Sequence, residues 1–221
     1  MVRSSRRAGQ SGFSFIEILV VMGIISVLVS MVVVVVPFIR EKGKQTKSVD
    51  NVRSMLQFYI GSGAGMDKPW PKYNGKDFVL WLVATNKISR TSDENLSILF
   101  SPGDEYYTYP GKDPYKSLLL PVLGVGNQDL LKLTSYAGRR NKEKDHILSS
   151  AAQQDNAICI CDDDDGDVHH KNGIVVGYVS GSAKFLEWSD LGLPEPSDLK
   201  HPQFLGDNAQ NEELKHMSSG N

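Results

Sequence analysis

The hydrophobic pattern of the chain begins with one long apolar block near the N-terminus. No charged residue occurs in residues 18–39. A helix needs about 20 such residues to cross the roughly 30 Å hydrocarbon core of a bilayer. A helix also satisfies its own backbone hydrogen bonds in lipid, which few other single segments can do. The block therefore predicts a transmembrane helix, which we place at residues 13–39.

A second periodicity follows the apolar block directly. In residues 40–60, apolar side chains recur at spacings of three and four residues with charged residues between them; they are Val49, Val52, Met55, Leu56 and Tyr59. This predicts an amphipathic continuation of the helix, which ends at the glycine-rich residues 61–65 and packs on a globular domain. Alternatively, a separate amphipathic helix begins after a linker and docks in the same way.

The rest of the chain carries shorter signals. Residues 77–88 predict a helix, and residues 156–161, 174–179 and 183–188 predict strands, the last two joined as a hairpin through Gly181. We therefore predict an α+β fold, in which the long N-terminal helix packs on a small C-terminal antiparallel sheet. The globular domain is placed at residues 61–193. The polar residues 194–221 predict a partly disordered tail.

Charge and motifs exclude several function classes. The formal net charge is -2, which offers no bulk electrostatic basis for nucleic-acid binding. The sequence has no nucleophile-elbow, zinc-protease, phosphate-loop or dinucleotide motif. The two cysteines are too few for a disulfide framework. We therefore expect neither an enzyme nor a nucleic-acid partner.

A basic segment precedes the apolar block. Residues 1–12 contain Arg3, Arg6 and Arg7 and no acidic residue, which predicts a leader peptide. A secretory signal peptide would have a shorter apolar core, followed by a small-residue cleavage site. The apolar run is longer here and no such site follows it. We therefore place the predicted cleavage before the run, between Gly12 and Phe13.

One acidic residue, Glu17, lies at the start of the predicted membrane helix. A carboxylate in a membrane costs a few kcal/mol and needs a partner or a route to water. After cleavage, the new ammonium group of a neighbouring copy's Phe13 could pair with Glu17 and fix the register between subunits. The alternative is that Glu17 lies near enough to the interface to reach water.

Residues 12–21, with the sequence GFSFIEILVV, resemble the prepilin signature of type IV pilins and type II secretion pseudopilins. Gly12, Phe13 and Glu17 match that signature position by position. Ser14 stands where threonine is usual, and Phe15 where leucine is usual. The resemblance implies that a prepilin peptidase cuts after Gly12 and methylates the amino group of Phe13.

The same resemblance implies a function and a location. The chain would be a structural subunit of a type II secretion pseudopilus or a type IV pilus-like filament. Its partners would be the prepilin peptidase, sister subunits, membrane lipid, and a membrane assembly platform with its ATPase. It would cross the bacterial cytoplasmic membrane once, with its N-terminus in the cytoplasm and its globular domain outside.

A second resemblance concerns the C-terminal half. Residues 135–138, His170 and the closing hairpin are similar to a pseudopilin family abundant in planctomycete-type bacteria. In that family, a histidine is followed about ten residues on by an Asp-Gly hairpin turn. The turn is Ser180-Gly181 here, and Ser101-Pro102 stands where the family has Cys-Pro.

The densest group of metal-type ligands lies between Cys159 and His170. Calcium is one interpretation, because closely spaced carboxylates with a turn glycine suit a hard cation; the candidate ligands are Asp162, Asp163, Asp164, Asp165 and Asp167. Zinc held by the cysteines and histidines is a second. The third is a solvated acidic turn, with both cysteines on one face of a strand. A tethered binding module, or a tethered enzyme that uses this group, therefore stays open beside the filament subunit.

Overall fold

The protein is described by a computed structural model, in which the chain divides into two compact units, Met1–Arg40 and Glu41–Asn221. The residues that the structure describes are 13–64, 68–104, 108–124, 128–141, 148, 157–162, 169–194, 205–207, 209–212 and 214–218. The predicted α+β class is confirmed, since a long N-terminal helix contributes to a domain built on a small antiparallel sheet.

Helix α1 spans Phe15–Gly61 and includes Pro37. Its second half buries one stripe of side chains at the predicted spacing, because positions three and four apart lie on one face of a helix. The buried residues are Gln45, Ser48, Asn51, Val52, Met55, Leu56 and Tyr59. The stripe is polar at its start and apolar from Val52 onward. This change in character locates the candidate site described below.

The sheet has five strands in the order β4-β3-β2-β1-β5, and every pairing is antiparallel. The strands are β1 Tyr136–Arg139, β2 Ile158–Asp162, β3 Gly173–Tyr178, β4 Ala183–Glu187 and β5 Met217–Ser218. The predicted β3–β4 hairpin is confirmed. Its turn contains Gly181 at φ 86°, a conformation that disfavours any residue with a Cβ atom.

Two further α-helices lie in the described residues: α2 spans Gly75–Ala84 and α3 spans Asp93–Ser97. Helix α2 ends four residues before the predicted end, because Asn86 adopts a left-handed conformation with φ 58°. The α2 side chains Phe78 and Trp81 stack on Tyr59 of α1, with ring centroids 5.2 and 5.7 Å apart. This aromatic group joins the second half of α1 to α2.

The sheet is buried on both faces. One face packs against α1 and α2, through residues that include Tyr136, Ile160 and Val175. The opposite face carries a second apolar cluster, in which Ile174 and Val176 alternate with the residues of the first face. Because both faces are covered, the residues of β2 and β3 are buried almost continuously rather than alternating with exposed polar residues.

Part of the segment predicted as a partly disordered tail, residues 194–221, is ordered in the structure. Leu205, Leu214 and Met217 are buried in the second apolar cluster, and Met217–Ser218 forms strand β5 beside β1. These apolar residues are widely spaced among polar ones, so the local composition looked disordered. They become ordered because the outer face of the sheet is itself apolar and needs a cover.

The closest approach between α1 and the sheet depends on Gly177. A Cβ atom at this position would lie 2.5 Å from Val52 Cγ1 and 2.9 Å from Leu56 Cδ1. We expect Gly177→Ala to destabilise the folded protein by about 1–3 kcal/mol, the usual cost of overpacking a core. The melting temperature should fall by roughly 2–4 °C for each kcal/mol in a chain of this size.

The matched control is Gly61→Ala, where an added Cβ atom meets nothing within 4 Å. Thermal unfolding of both full-length variants in detergent gives the comparison. Equal melting temperatures for the two variants would contradict the tight contact between α1 and β3.

Candidate functional site

A buried polar cluster lies where the second half of α1 begins. The imidazole of His170 contacts two side chains of α1: its Nδ1 is 3.2 Å from Glu41 Oε1, and its Nε2 is 3.0 Å from Ser48 Oγ. Ser48 Oγ is in turn 2.8 Å from Ser101 Oγ. Residues Glu41, Ser48, Ser101 and His170 therefore form one hydrogen-bonded chain, which connects the helix to the loop before β3 and to the loop after α3.

Two more carboxylates lie close to the histidines. Asp162 Oδ2 is 3.7 Å from His170 Nε2, and Asp162 Oδ1 is 3.7 Å from His169 Nδ1. His169 Nε2 is 3.5 Å from Asp104 Oδ2. Acidic and imidazole side chains thus alternate from Glu41 to Asp104. We call the residues Glu41, Ser48, Ser101, Asp104, Asp162, His169 and His170 the His170 cluster.

The surroundings of the cluster are hydrogen-bonded as well. The Ser101 amide donates to Ser135 Oγ at 2.5 Å, and Asn51 Nδ2 donates to the carbonyl of Phe100 at 2.9 Å. Burial, followed by the charge of Asp162, raises the pKa of Tyr136 above its ordinary range. The Tyr136 hydroxyl therefore stays neutral. The hydrogen bonds around the cluster join α1 to the loop after α3.

The predicted calcium ligands are only partly covered by the structure. Asp162 is the last residue of β2, and its side chain faces the interior, where Oδ2 accepts a hydrogen bond from the amide of Val175 at 3.0 Å. The other four aspartates, Asp163, Asp164, Asp165 and Asp167, lie outside the described residues. Calcium binding by this loop therefore stays a prediction.

The interpretation of this segment as a solvated acidic turn placed both cysteines on one face of the strand. The structure places them on opposite faces. The register of β2 against β3 shifts between Ile158 and Ile160, and this bulge places consecutive residues on the same side. Cys159 and Ile160 join the cluster facing the helices, whereas Cys161 joins the opposite one. Because the thiols of Cys159 and Cys161 lie on opposite faces of the sheet, they are not placed to bind one zinc ion together.

The N-terminal unit presents a different surface. The exposed large apolar side chains between Phe13 and Ile39 are 47 to 85% accessible, with Phe13 the most exposed. Helix α1 is long and apolar enough to cross a membrane, and no residue of its most apolar stretch is buried within the described chain. A continuous apolar surface of this kind needs lipid or another protein to cover it.

Glu17 lies in the first turn of this helix. Its Oε2 accepts a hydrogen bond from the Ser14 amide at 2.7 Å, and the Ser14 carbonyl accepts from the Ile18 amide at 3.3 Å. Ser14 therefore occupies the N-cap position, and Glu17 returns to it from the third helical position, which is half of a capping box. The carboxylate satisfies one of the amides that a helix leaves unpaired at its start.

The N-terminal segment also matches a known family. Residues 7–33 match the family model described as a prokaryotic N-terminal methylation motif. This motif indicates a type IV pilin-like precursor. The matched residues include the predicted cleavage site and Glu17, although Gly12 itself lies outside the described residues. Searches of curated proteins and of solved structures each found no significant match to the chain.

Sequence reasoning about this pilin-like precursor missed two features of its sites. The capping box was readable as Ser-x-x-Glu at Ser14 and Glu17. The His170 cluster was signalled only faintly, because Gln45 and Ser48 continue the helical spacing of the buried apolar stripe toward the N-terminus. Polar residues on a buried stripe indicate polar partners, but the spacing does not show which ones.

Among the described residues, Ser48, His170 and Glu41 contact one another in the order of a catalytic serine, base and acid. Ser48 and His170 are only 0% and 1% exposed, so a substrate has no access to the serine hydroxyl in this structure. In the described part of the chain, no group of three or more histidine, cysteine or acidic side chains is placed to hold a metal ion. Burial raises the pKa of the Cys159 thiol to about 12, so this thiol is protonated at neutral pH and unsuited to nucleophilic attack. The contacts of the His170 cluster connect α1 to the loop before β3 and to the loop after α3.

The His170 cluster predicts a local effect of His170→Ala. The variant removes the two imidazole contacts with Ser48 and Glu41, and the loss of hydrogen bonds in a buried site, one of them to a charged group, costs about 1–3 kcal/mol. We expect a loss of that size in urea unfolding of the full chain. Amide hydrogen exchange should accelerate in residues 41–51 more than in residues 55–59, which lie against the aromatic group.

The control for this variant is Lys171→Ala, which removes an exposed side chain next to His170. It should change neither the unfolding free energy nor the exchange pattern. If His170→Ala accelerates exchange equally along the whole of residues 41–59, the cluster does not hold the start of the packed helix separately.

The burial of the two cysteines predicts their reactivity. Both are 0% exposed, and the raised pKa of Cys159 keeps its thiol protonated. At pH 8 we expect the native protein to react with a thiol reagent more than about a hundredfold slower than the same protein in urea, because thiolate and access are both required. Rapid labelling of the native protein would contradict the position of β2 in the sheet.

Proposed function

We propose that this pilin-like precursor matures into a structural subunit of a type II secretion pseudopilus or a type IV pilus-like filament. The observation that carries the proposal is the coincidence of two features. The methylation motif covers residues 7–33, and the apolar helix that begins within it leaves its large side chains uncovered. A processed, uncovered apolar helix is what such a filament needs at its centre.

Maturation begins at the leader. A prepilin peptidase cuts between Gly12 and Phe13 and methylates the new amino group. Phe13 is 85% exposed, which is compatible with access by an enzyme in the membrane. The cut converts a neutral peptide nitrogen into an ammonium group one residue before the Ser14 amide that Glu17 caps.

Glu17 then has two successive partners. Before assembly, its carboxylate accepts a hydrogen bond from the Ser14 amide of its own chain. This hydrogen bond offsets part of the free-energy cost of a carboxylate in the membrane. During assembly, it pairs with the Phe13 ammonium of a sister subunit. Because a displaced copy would leave both charges unpaired, the pair selects one axial register.

Assembly exchanges one apolar environment for another. The apolar faces of residues 13–39 leave lipid and pack on sister helices, a transfer that loses little hydrophobic free energy. A membrane platform and its cytoplasmic ATPase supply the mechanical work. The leader lies in the cytoplasm and the Glu41–Asn221 unit lies outside, so that the filament grows away from the membrane.

The two partners of Glu17 can be separated by substitution. Glu17→Gln keeps an oxygen that can accept the Ser14 amide, but it removes the charge. We expect normal processing and membrane insertion, with the yield of sheared filaments reduced at least about tenfold, since breaking a buried charge pair costs about 3 kcal/mol or more. Glu17→Ala should also weaken the start of α1.

The matched control is Glu94→Gln, which removes an exposed carboxylate from the first turn of α3. Mass spectrometry of the N-terminus, membrane fractionation and filament yield are measured on all three variants. A membrane tether would be indifferent to Glu17, so filament yields equal to wild type in Glu17→Gln and Glu17→Ala would contradict the proposal.

A further inference from the structure

Three lysines follow the apolar segment of α1 within slightly more than two turns. Lys42, Lys44 and Lys47 lie in residues 40–47, where the only acidic residue is Glu41. We call residues 42–47 the lysine segment. The net charge of this segment depends on whether Glu41 pairs with a lysine, since an acidic residue three positions before a lysine on a helix commonly forms an ion pair with it.

The structure places the carboxylate of Glu41 against His170. Its Oε1 lies 3.2 Å from His170 Nδ1, inside the His170 cluster. Within the part of the chain that the structure describes, neither Lys44 nor Lys47 has an acidic partner. The positive charges of Lys44 and Lys47 are therefore not neutralised by an ion pair among the described residues.

The charge is confined to this segment. One turn further along α1, Arg53 pairs with Asp50 at 2.9 Å, so that part of the exposed helix surface is balanced. Lys42 holds its Nζ 5.8 Å from the Phe185 ring centroid. Lys44 is half-buried and Lys47 is exposed. A narrow cationic zone thus follows the apolar segment and ends before Asp50.

The position of this zone suits a membrane surface. Lys44 and Lys47 follow Ile39 by about 7 and 12 Å of helical rise. Side chains on a helix tilt toward its N-terminus, which is the direction of the apolar segment. Long lysine side chains can place their ammonium groups several ångströms from their own backbone. Both ammonium groups therefore reach the head-group layer, which is roughly 5–8 Å thick on each side of the hydrocarbon.

From this geometry we propose that the lysine segment binds the head groups of anionic phospholipids. The inference rests on the proposed membrane anchoring of α1. Lipid is favoured over a sister copy as the partner, because a copy in the same membrane presents the same lysines at the same depth, where like charges repel. The anionic lipid supplies the counter-charge that Glu41, held by His170, does not.

Spin-labelled lipids test the proposal on the full-length protein. The chain is reconstituted in phosphatidylcholine vesicles with a trace of spin-labelled phosphatidylglycerol or spin-labelled phosphatidylcholine. Electron paramagnetic resonance then gives the association of each lipid with the protein. We expect phosphatidylglycerol to be favoured by about fivefold or more at low ionic strength, the size of effect expected from a lysine near a membrane surface.

Variants and salt make the test specific. Lys44→Gln with Lys47→Gln should reduce the preference for phosphatidylglycerol to below about twofold, and 0.5 M salt should do the same, because it screens charges over a few ångströms. The matched control, Lys112→Gln with Lys116→Gln, removes two lysines of the Glu41–Asn221 unit that pair with Asp93 and Asp113. This control should keep the wild-type preference.

Two outcomes would overturn the inference while leaving the proposed function intact. One is a motionally restricted phosphatidylcholine signal with no preference for phosphatidylglycerol. The other is a zero-length cross-link between the lysine segment and an acidic residue of a sister copy, in place of that preference. If no restricted lipid signal appears at all, the helix does not lie in the bilayer, and the proposed function fails as well.

Discussion

The uncovered apolar surface of α1 is the constraint on which the rest of this structure depends. The exposed large apolar side chains between Phe13 and Ile39 are about half accessible or more, although water is an unfavourable environment for them. Only lipid or other apolar helices can cover such a surface. The methylation motif at residues 7–33 supplies a reason for this requirement, because a pilin-like helix passes from one of these environments to the other.

The same helix changes character along its length, and the change has a structural cause. After Arg40 the helix belongs to the second compact unit, and its buried stripe begins with polar residues that reach Ser101, Phe100 and His170. Only from Val52 onward does it bury apolar side chains against the sheet. The polar start of the stripe holds Glu41 inside the domain and leaves Lys44 and Lys47 toward solvent, where they can meet anionic groups.

Periodicity made part of this fold predictable. Helix α1 was predictable from its repeated apolar spacing, and the β3–β4 hairpin from the turn at Gly181. Each of these signals is local, since it is carried by residues close together in the sequence. Strand β5 could not be predicted in the same way, because Met217 lies in a mostly polar segment and is ordered by residues distant in sequence, those of β1 and of the second apolar cluster. The bulge that separates Cys159 from Cys161 also depends on a neighbouring strand, β3, and not on local sequence.

The candidate sites divide in the same manner. Phe13 and Glu17 were predictable because a contiguous motif carries them. The His170 cluster was not, because Glu41 and His170 are 129 positions apart in sequence and meet only after the sheet and α1 have packed. Asp162 shows the same effect: sequence proximity grouped it with the acidic loop, whereas strand β2 directs its carboxylate to the Val175 amide in the interior.

The most direct test of the central claim is the mass of the N-terminal peptide of the protein purified from native membranes. The account predicts a chain that begins at Phe13 and carries one methyl group on its amino nitrogen. A chain that still begins at Met1, or one that begins after the valine-rich end of the apolar segment, would contradict it. Either result would mean that the helix is an ordinary anchor or an export signal instead of the core of a filament.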